Sequence, residues 1–388
     1  MNLRDKLNAI AAAPKKPAAP QPAVPREEKR CWERTRLFPI DDLPAALTLR
    51  RDTLMLMQGE ELPEGLDPRR ILYLDTETTG LSGGAGTVAF LVGVGCLTDE
   101  GFEVRQLVMR DYPEEEAVLR RLRELTERFD VLCTFNGKTF DLPLLRSRFL
   151  MNRMKPDCLD KPHIDLLHLS RRLWKLRLGR CNLGRLEEAI LGKPRVDDLP
   201  GSEVPERYFT YLKTGDFGLL EDVLTHNAQD IASLCVLLTR MAALYEHPEA
   251  QRHEEDVFSM GRALEKEHHA EAARRCYRLC ASGKMRVQGQ LRLADSWRRE
   301  GELGESVTVW LRMIARREGG IRPYVEMAKY YEHRAGDIDA ALDMTRKAIS
   351  LLAGPTLLED GSVQNARNAL QYRYERLRRK KQRSAGKE

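Results

Sequence analysis

A short apolar segment, Ile71–Asp75, ends in a carboxylate, and a second carboxylate, Glu77, follows two positions later. The sequence ILYLDTETTG is typical of a buried strand, in which side chains at alternate positions point to the same face. Asp75 and Glu77 are therefore expected to project together. Two like charges side by side repel each other and lose hydration, so the pair costs stability unless a cation joins it. Oxygen ligands of this kind suit magnesium or manganese. The alternative is that the strand ends at Leu74 and both acids are solvated in a turn.

The surrounding region predicts a mixed α/β sheet. Three further strands are predicted at 87–97, 102–110 and 130–135. Consecutive strands joined by short links favour antiparallel hairpins, whereas the helical pattern over 113–129 favours parallel pairing of the strand that follows it. Beyond that strand the pattern is mostly helical, and the predicted helices are 141–153, 165–177, 183–191 and 217–245.

Further acidic side chains follow at places where these elements begin or continue. Asp141 comes after a buried strand and an Asn-Gly-Lys turn, at a predicted helix start, where it could also be a simple N-cap. The stretch EDVLTHNAQDIASL places Asp222, His226 and Asp230 at helical positions i, i+4 and i+8, on one face. A solvent-exposed stripe is the alternative interpretation of that face.

Length and composition narrow the class of protein. A chain of 388 residues suggests two or three domains, and no run approaches the ~20 apolar residues of a membrane helix. Eight cysteines without a Cys-x-x-Cys pair argue against a zinc site and a disulfide framework, and favour a reducing cytoplasm. We expect a disordered Pro/Ala/Lys arm, a lead-in segment, an α/β domain, helical repeats and a basic C-terminal tail, at residues 1–35, 36–69, 70–247, 253–354 and 355–388.

The predicted all-α region carries an internal repeat. Similar triplets recur every 34 residues, as Glu271-Ala272-Ala273, Glu305-Ser306-Val307 and Asp339-Ala340-Ala341. A 34-residue period of paired helices resembles tetratricopeptide repeats, although the consensus Gly and Pro positions are poorly kept. A generic helical bundle is the alternative. Surfaces of such repeats usually bind peptides or domains, so a protein partner is expected here.

Three blocks in the α/β region, taken together, resemble the exonuclease motifs of the DEDD nuclease superfamily, which has a ribonuclease H-like fold. The blocks are LDTETTGL, FNGKTFD and HNAQD, in that order and with helices between them. The second block, followed by HIDLLHLSRRLW and CNLGRLEEAILG, looks more specifically like the YprB-type ribonuclease H-like proteins, which can also carry helical repeats. The resemblance implies a ribonuclease H-like mixed sheet flanked by helices, followed by the tetratricopeptide-like region.

The resemblance also implies a site and a chemistry. Asp75, Glu77, Asp141 and Asp230 would hold two divalent ions, Mg²⁺ or Mn²⁺, one activating a water and the other stabilising the leaving 3′-oxygen. The sequence departs from the family at the general base. Members have Tyr four residues, or His five residues, before the last Asp, and here His226 lies four before Asp230. The imidazole could take a proton near neutrality, or could orient a phosphate or pack against the helix.

Nucleic-acid contacts are expected between the second and third blocks. SRRLWKLRLGR contains five basic residues, no acids and an aromatic residue, so Arg171, Arg172, Trp174 and Lys175 could track a phosphate backbone and stack a base. The alternative is an amphipathic helix with Trp174 in the core. Asn136 could cap the turn or touch nucleic acid, and Lys138 could touch a phosphate.

Three functions follow from these features. The first is a metal-dependent 3′–5′ exonuclease acting on single-stranded or frayed DNA or RNA. The second is a binding or scaffold protein of the same fold with little catalysis, which recruits a protein through its helical repeats. The third is a ribonuclease H-type endonuclease.

Overall fold

A single mixed sheet lies at the centre of the α/β region in the computed structural model, which describes residues 31–40, 43–80, 86–195, 199–352 and 361–385. Its six strands, β1 to β6, are Trp32–Phe38, Ile71–Thr78, Ala89–Leu97, Phe102–Val108, Val131–Thr134 and His163–Asp165. They lie side by side in the order β1-β4-β3-β2-β5-β6. The first four strands of that order pair antiparallel, and β2, β5 and β6 pair parallel. The predicted fold class, a mixed sheet with flanking helices followed by an all-helical region, is confirmed.

Two of these strands were not predicted. β1 begins at Trp32, so the boundary expected at residue 35 between a disordered arm and a lead-in segment cuts through a strand and is wrong there. β1 pairs antiparallel with β4 along its whole length. Its sequence mixes charged residues with Thr35 and Leu37, and this pattern alone did not predict a strand. β6 is only three residues long, too short for a periodic signal. Residues 1–30 of the expected arm lie outside the described residues.

The helices alternate with the sheet and then continue alone. Those of the α/β region, α1 to α8, are Leu43–Leu47, Arg51–Gln58, Glu115–Thr126, Asp141–Met151, Leu166–Leu178, Leu183–Leu186, Val204–Thr214 and Glu221–Glu246. Those that follow, α9 to α15, are Glu254–Lys266, Ala270–Leu279, Arg286–Arg299, Leu303–Ala315, Arg322–Tyr330, Ile338–Leu352 and Gly361–Ala385. No helix among the described residues is long and apolar enough to cross a membrane.

Alternation along β2 divides the core into two layers. Ile71 and Tyr73 pack on one face of the sheet with the long helix α8, whereas Leu72 and Leu74 pack on the other with α3, α4 and α7. Each such fully buried apolar side chain contributes about 1.5–3 kcal/mol. Because successive side chains alternate, Asp75 continues the row of Ile71 and Tyr73 and so faces α8.

The core that covers α8 runs on without a break into the helices beyond it. Val257, Met260, Tyr277 and Trp310 belong to the same buried cluster as Tyr73. From α9 to α14, each helix packs against the next one along the chain. Their second members begin at residues 270, 303 and 338, spacings close to the 34-residue period of the sequence.

The basic C-terminal tail is a packed helix over most of its length. Leu370 and Leu377 of α15 are buried against the preceding helices. The buried carboxylate of Glu332 binds Arg373 at 3.0 Å and Arg376 at 2.5 Å. The predicted basic C-terminal tail is thus a helix over residues 361–385, and part of its charge neutralises a buried acid.

This ion-pair cluster makes a prediction about how α15 is held. Glu332→Gln should weaken the charge-assisted bonds to both arginines and increase backbone hydrogen exchange in α15 by roughly tenfold or more, since bonds to charged groups contribute about 1.5–3 kcal/mol. Asp339→Asn, which removes an exposed ion pair to Lys381, is the matched control and should change exchange little. Equal protection of α15 in the wild type and Glu332→Gln would show that the apolar contacts alone hold it.

Candidate nuclease site

Two carboxylates stand on the carboxyl-terminal half of β2, where the strand leaves the core. Asp75 pairs in register with Gly93 of β3, and Glu77 pairs with Leu91 before the register shifts at Thr78. Both side chains are half-buried. The strand does not end at Leu74, so the two acids are part of the sheet rather than of a solvated turn.

Asp141 opens α4 and lies beside the same strand. Its side chain is buried, and its Oδ1 accepts a hydrogen bond of 2.6 Å from the Thr76 hydroxyl. Burial raises the pKa of Asp141 to about 6, against the lowering effect of that hydrogen bond. A carboxylate held in this way is a poor simple helix cap and a strong candidate for binding a cation.

The turn that delivers Asp141 is fixed by a buried acid that sequence reasoning did not single out. Asp165 accepts backbone N–H bonds from Asn136 at 2.8 Å, Lys138 at 3.0 Å and Leu167 at 3.1 Å. Asn136 has φ of 68°, the left-handed conformation that Asn tolerates better than most residues. The Asn136 backbone therefore serves the turn.

Lys138 points from this turn to another part of the chain. Its Nζ donates to Glu60 Oε1 at 2.8 Å. Both side chains are exposed enough for that pair to be weak, at about 0–1 kcal/mol. A phosphate could replace Glu60 at little cost.

The long helix α8 brings the third group of predicted residues against the sheet. Asp230 and His226 lie one turn apart, with His226 Nε2 at 3.7 Å from Asp230 Oδ2. Asp222, one turn earlier, is exposed and pairs with Arg207 at 3.6 Å, so it does not join the other two. The face is therefore split between a surface position and two partly buried ones.

Electrostatics show that the acids of β2, α4 and α8 lie near one another. Burial, followed by the negative charges of Asp141, Asp230 and Glu77, raises the pKa of Asp75 well above its usual range. Burial also raises the pKa of Asp230, while the neighbouring His226 and Arg195 lower it. Asp75 is thus influenced by three other carboxylates, which come from α4, α8 and β2 itself.

Arg195 is the main cation at this site, and the sequence did not point to it. Its guanidinium donates to Glu187 and to Asp230, and its Nη1 lies 3.2 Å from His226 Nδ1. Glu187 is buried and also accepts from Ser233 at 2.6 Å. Arg195 borders a cleft of about 620 Å³ that is lined in part by α8.

A network of buried polar side chains from α8 and β4 positions Asp75. Asn227 Nδ2 donates to Asp75 Oδ2 at 2.9 Å, and its own Oδ1 accepts from Gln106 Nε2 at 3.1 Å. Asn227 and Gln106 are both buried. The approach needs a glycine, because a Cβ on Gly93 would lie 2.2 Å from Asn227 Oδ1 and 2.3 Å from Ile231.

The donor set suits a hard divalent cation, but its side chains are not spaced as in a formed metal site. Carboxylate oxygens are the ligands that magnesium and manganese prefer. No three His, Cys, Asp or Glu side chains are gathered closely enough to hold a metal ion anywhere in the described ranges. Asp230 is engaged by Arg195, and this contact would have to exchange for the four acids to share a cation.

The predicted nucleic-acid contacts on α5 divide into two groups. Arg171 and Lys175 are exposed and Arg172 is half-buried. Trp174 is only 1% exposed and belongs to the core. Its expected role in stacking a base is corrected, because the indole is covered by apolar side chains and the amphipathic-helix alternative holds.

Gly93 gives a stability prediction for the site. Gly93→Ala should push α8 away from β2 and lower the free energy of unfolding by about 1–3 kcal/mol, the usual range for overpacking. Gly184→Ala is the matched control, since nothing lies within 4 Å of a Cβ there. Denaturant unfolding measures both, and an unchanged midpoint for Gly93→Ala would show that Asn227 is not held where the structure has it.

The raised pKa of Asp75 gives a prediction with a definite sign. A carboxyl whose pKa is higher in the folded than in the unfolded state loses stability as the pH rises from about 4 towards the folded pKa. In EDTA at pH 8, Asp75→Asn should therefore be more stable than the wild type, because the neutral amide avoids the burial and the repulsion that raise the pKa of Asp75. The difference should shrink towards pH 4. Lower stability of Asp75→Asn at both pH values would contradict the repulsion.

Comparison with known proteins places the chain in a family. Residues 72–242 match the model of the RNase H superfamily. The chain is 30% identical over 293 residues to the protein YprB of Bacillus subtilis (strain 168), described as uncharacterized, and the match covers 74% of this chain and 71% of YprB.

A solved structure, the family B DNA polymerase of the hyperthermophilic archaeon Pyrobaculum calidifontis, is similar with a TM-score of 0.38 and 15% identity. That match covers 62% of this chain and 30% of the polymerase, and at this score it says nothing about function. The matches to the superfamily and to YprB show that this chain belongs to the YprB family of ribonuclease H-like proteins.

Proposed function

We propose that this protein is a metal-dependent nuclease that removes nucleotides from the 3′ end of single-stranded or frayed nucleic acid. The observation that carries the proposal is the state of Asp75, whose pKa is raised by burial and then by the negative charges of Asp141, Asp230 and Glu77, which come from α4, α8 and β2. Buried like charges are costly, and functional sites are where such costs are retained. Membership of the ribonuclease H superfamily supports nucleic-acid processing as the general activity.

The four acids would hold the cations, with Mg²⁺ or Mn²⁺ as the expected ions. Such ions, when bound, lower the pKa of water and neutralise charge on the reacting phosphate. The protein itself supplies orientation: Asn227 holds one Asp75 oxygen, and the Thr76 hydroxyl holds one Asp141 oxygen. Asp230 becomes able to join them when Arg195 releases it.

His226 is proposed as the group that takes a proton from the attacking water. An Arg can only donate, so the 3.2 Å contact makes His226 Nδ1 the acceptor of a hydrogen bond from Arg195 Nη1, while Nε2 lies beside Asp230. Release of Arg195 would open Nδ1 to a proton. Release of Arg195 would thus make Asp230 available as a cation ligand and His226 available as a proton acceptor. In this proposal the unusual spacing of His226 and Asp230 places both within reach of one guanidinium.

A second function, binding with little catalysis, is favoured by one specific contact. Arg195 engages Asp230 and His226 together, and a site permanently closed in this way would bind nucleic acid without cutting it. In that case the helical hairpins beyond α8, which we interpret as tetratricopeptide-like, would recruit a protein partner.

All eight cysteines are free thiols, which supports a reducing cytoplasm as the place of action.

Cleavage of end-labelled oligonucleotides separates these functions. With Mn²⁺ and 5′-labelled single-stranded DNA or RNA, the exonuclease predicts a stepwise ladder that shortens from the 3′ end. Asp230→Asn should lower the rate by at least about 100-fold because it removes a shared cation ligand. Asp222→Asn, on the same helix and exposed, is the matched control and should keep the rate. Internal cuts would indicate an endonuclease, and intact substrate that stays bound would indicate the binding function.

Cation binding can be tested without activity. Saturating Mn²⁺ should raise the Tm of the wild type, since a ligand at about 100 times its Kd adds about 2.7 kcal/mol to the free energy of unfolding. Asp75→Asn should lose most of that shift while remaining folded, and Asp222→Asn should keep it. An equal shift in all three proteins would place the cation elsewhere.

A further inference from the structure

A basic groove lies between the α/β region and the helices that follow it. It has a volume of about 610 Å³ and is bounded by α5 and α9, with one contribution from α11. Six cationic side chains line it: Arg171, Arg172, Lys175, Arg262, Lys266 and Arg292. Half of them therefore come from the helical region, which the sequence did not associate with nucleic acid.

Most of this charge is not neutralised within the protein. Arg172 pairs with Glu267 at 3.2 Å, and Arg292 with Glu265 at 3.5 Å. Glu265 is also bound by Arg299 and by the Tyr277 hydroxyl, so it does not offset the rest. The other four cations form no ion pair with any carboxylate in the described part of the chain. Gathering unpaired like charges is unfavourable, and an anionic ligand relieves that repulsion.

The walls of the groove are rigid, so its shape exists before any ligand binds. Arg177 of α5 binds Asp256 of α9 through three hydrogen bonds, two from Nε at 2.9 and 3.0 Å and one from Nη2 at 2.7 Å. Trp174 packs beneath the groove in the same core as Met260 and Leu264. A preformed surface loses little conformational entropy on binding.

The groove is connected to the candidate site through α5. Asp165, which caps α5, holds the turn that delivers Asp141. The groove residues 171–176 follow six to eleven positions later, which at 1.5 Å per residue is roughly 9–16 Å along the helix. Leu176 is 49% exposed among the cations and offers an apolar surface to a base or a sugar.

We propose that this groove binds the phosphate backbone of single-stranded nucleic acid, so that the helical region extends the substrate surface of the α/β region. The proposal rests on the proposed function for the direction of the strand, but the binding itself does not require catalysis. A repeated negative charge with apolar bases matches four unpaired cations around an exposed leucine. An acidic protein segment is the competing occupant.

The test measures equilibrium binding in EDTA, where cleavage cannot occur. The probes are fluorescein-labelled oligothymidine and oligouridine of about 20 nucleotides, long enough to span both regions. The variant Arg262→Ala/Lys266→Ala changes α9 alone. Affinity should fall at least about fivefold, and the slope of log K against log salt should fall by about 1.4, since each phosphate contact on a single strand contributes about 0.7.

The control variant removes two cations that already have carboxylate partners within their own helices. Lys329→Ala/Lys347→Ala removes two positive charges, as Arg262→Ala/Lys266→Ala does. Lys329 and Lys347 pair with Glu326 and Asp343 and lie outside the groove. It should leave affinity and salt slope nearly unchanged. Circular dichroism and thermal unfolding of both variants verify that they are folded.

The outcomes separate this inference from the proposed function. Unchanged affinity and slope for Arg262→Ala/Lys266→Ala overturn the groove, and so does tighter binding of a polyglutamate peptide of similar length than of either oligonucleotide. Loss of binding in that variant, in a protein that yields no ladder with Mn²⁺, supports the groove while removing the exonuclease proposal. Loss of binding together with a slower ladder supports both.

Discussion

Repulsion between carboxylates at the end of β2 is the interaction on which the functional interpretation depends. A core strand normally ends in neutral or solvated residues, yet here the row of Ile71 and Tyr73 continues directly into Asp75. Burial, followed by the charges of Asp141, Asp230 and Glu77, makes the ionised form of Asp75 unfavourable. A protein retains such an arrangement when a ligand of opposite charge uses it.

The rest of the fold can be understood as what holds these charges in place. The antiparallel strands set Gly93 opposite Asp75, and the missing side chain lets α8 approach closely enough for Asn227 to reach it. On the other side, Asp165 ties the turn before α4 through three backbone N–H groups. Both arrangements use hydrogen bonds between buried polar groups, which restrict the positions that these groups can take.

The sequence predicted secondary structure well where a periodic pattern of apolar residues fits only one kind of element. The alternation in β2 was enough to predict a buried strand that carries Asp75 and Glu77, and the helical spacing placed His226 and Asp230 one turn apart on α8. The convergence of the four acids on one site was implied by the family resemblance and stays a prediction. Arg195 could not be predicted, because it lies outside any periodic element and its contacts with Asp230 and Glu187 arise only from the tertiary fold. The role of Trp174 was ambiguous for the same reason: the sequence of α5 fits a buried tryptophan as well as an exposed one, and only the tertiary fold shows that it is buried. The cations of α9 lie about ninety residues from those of α5 and meet them only through packing.

Anomalous diffraction from crystals grown with Mn²⁺ tests the central claim most directly. The account predicts a strong peak bonded to carboxylate oxygens of Asp75 and Asp141, with the Arg195 guanidinium withdrawn from Asp230. The account would be contradicted if no peak lay at this position, or if Mn²⁺ bound only to surface acids while Arg195 stayed on Asp230.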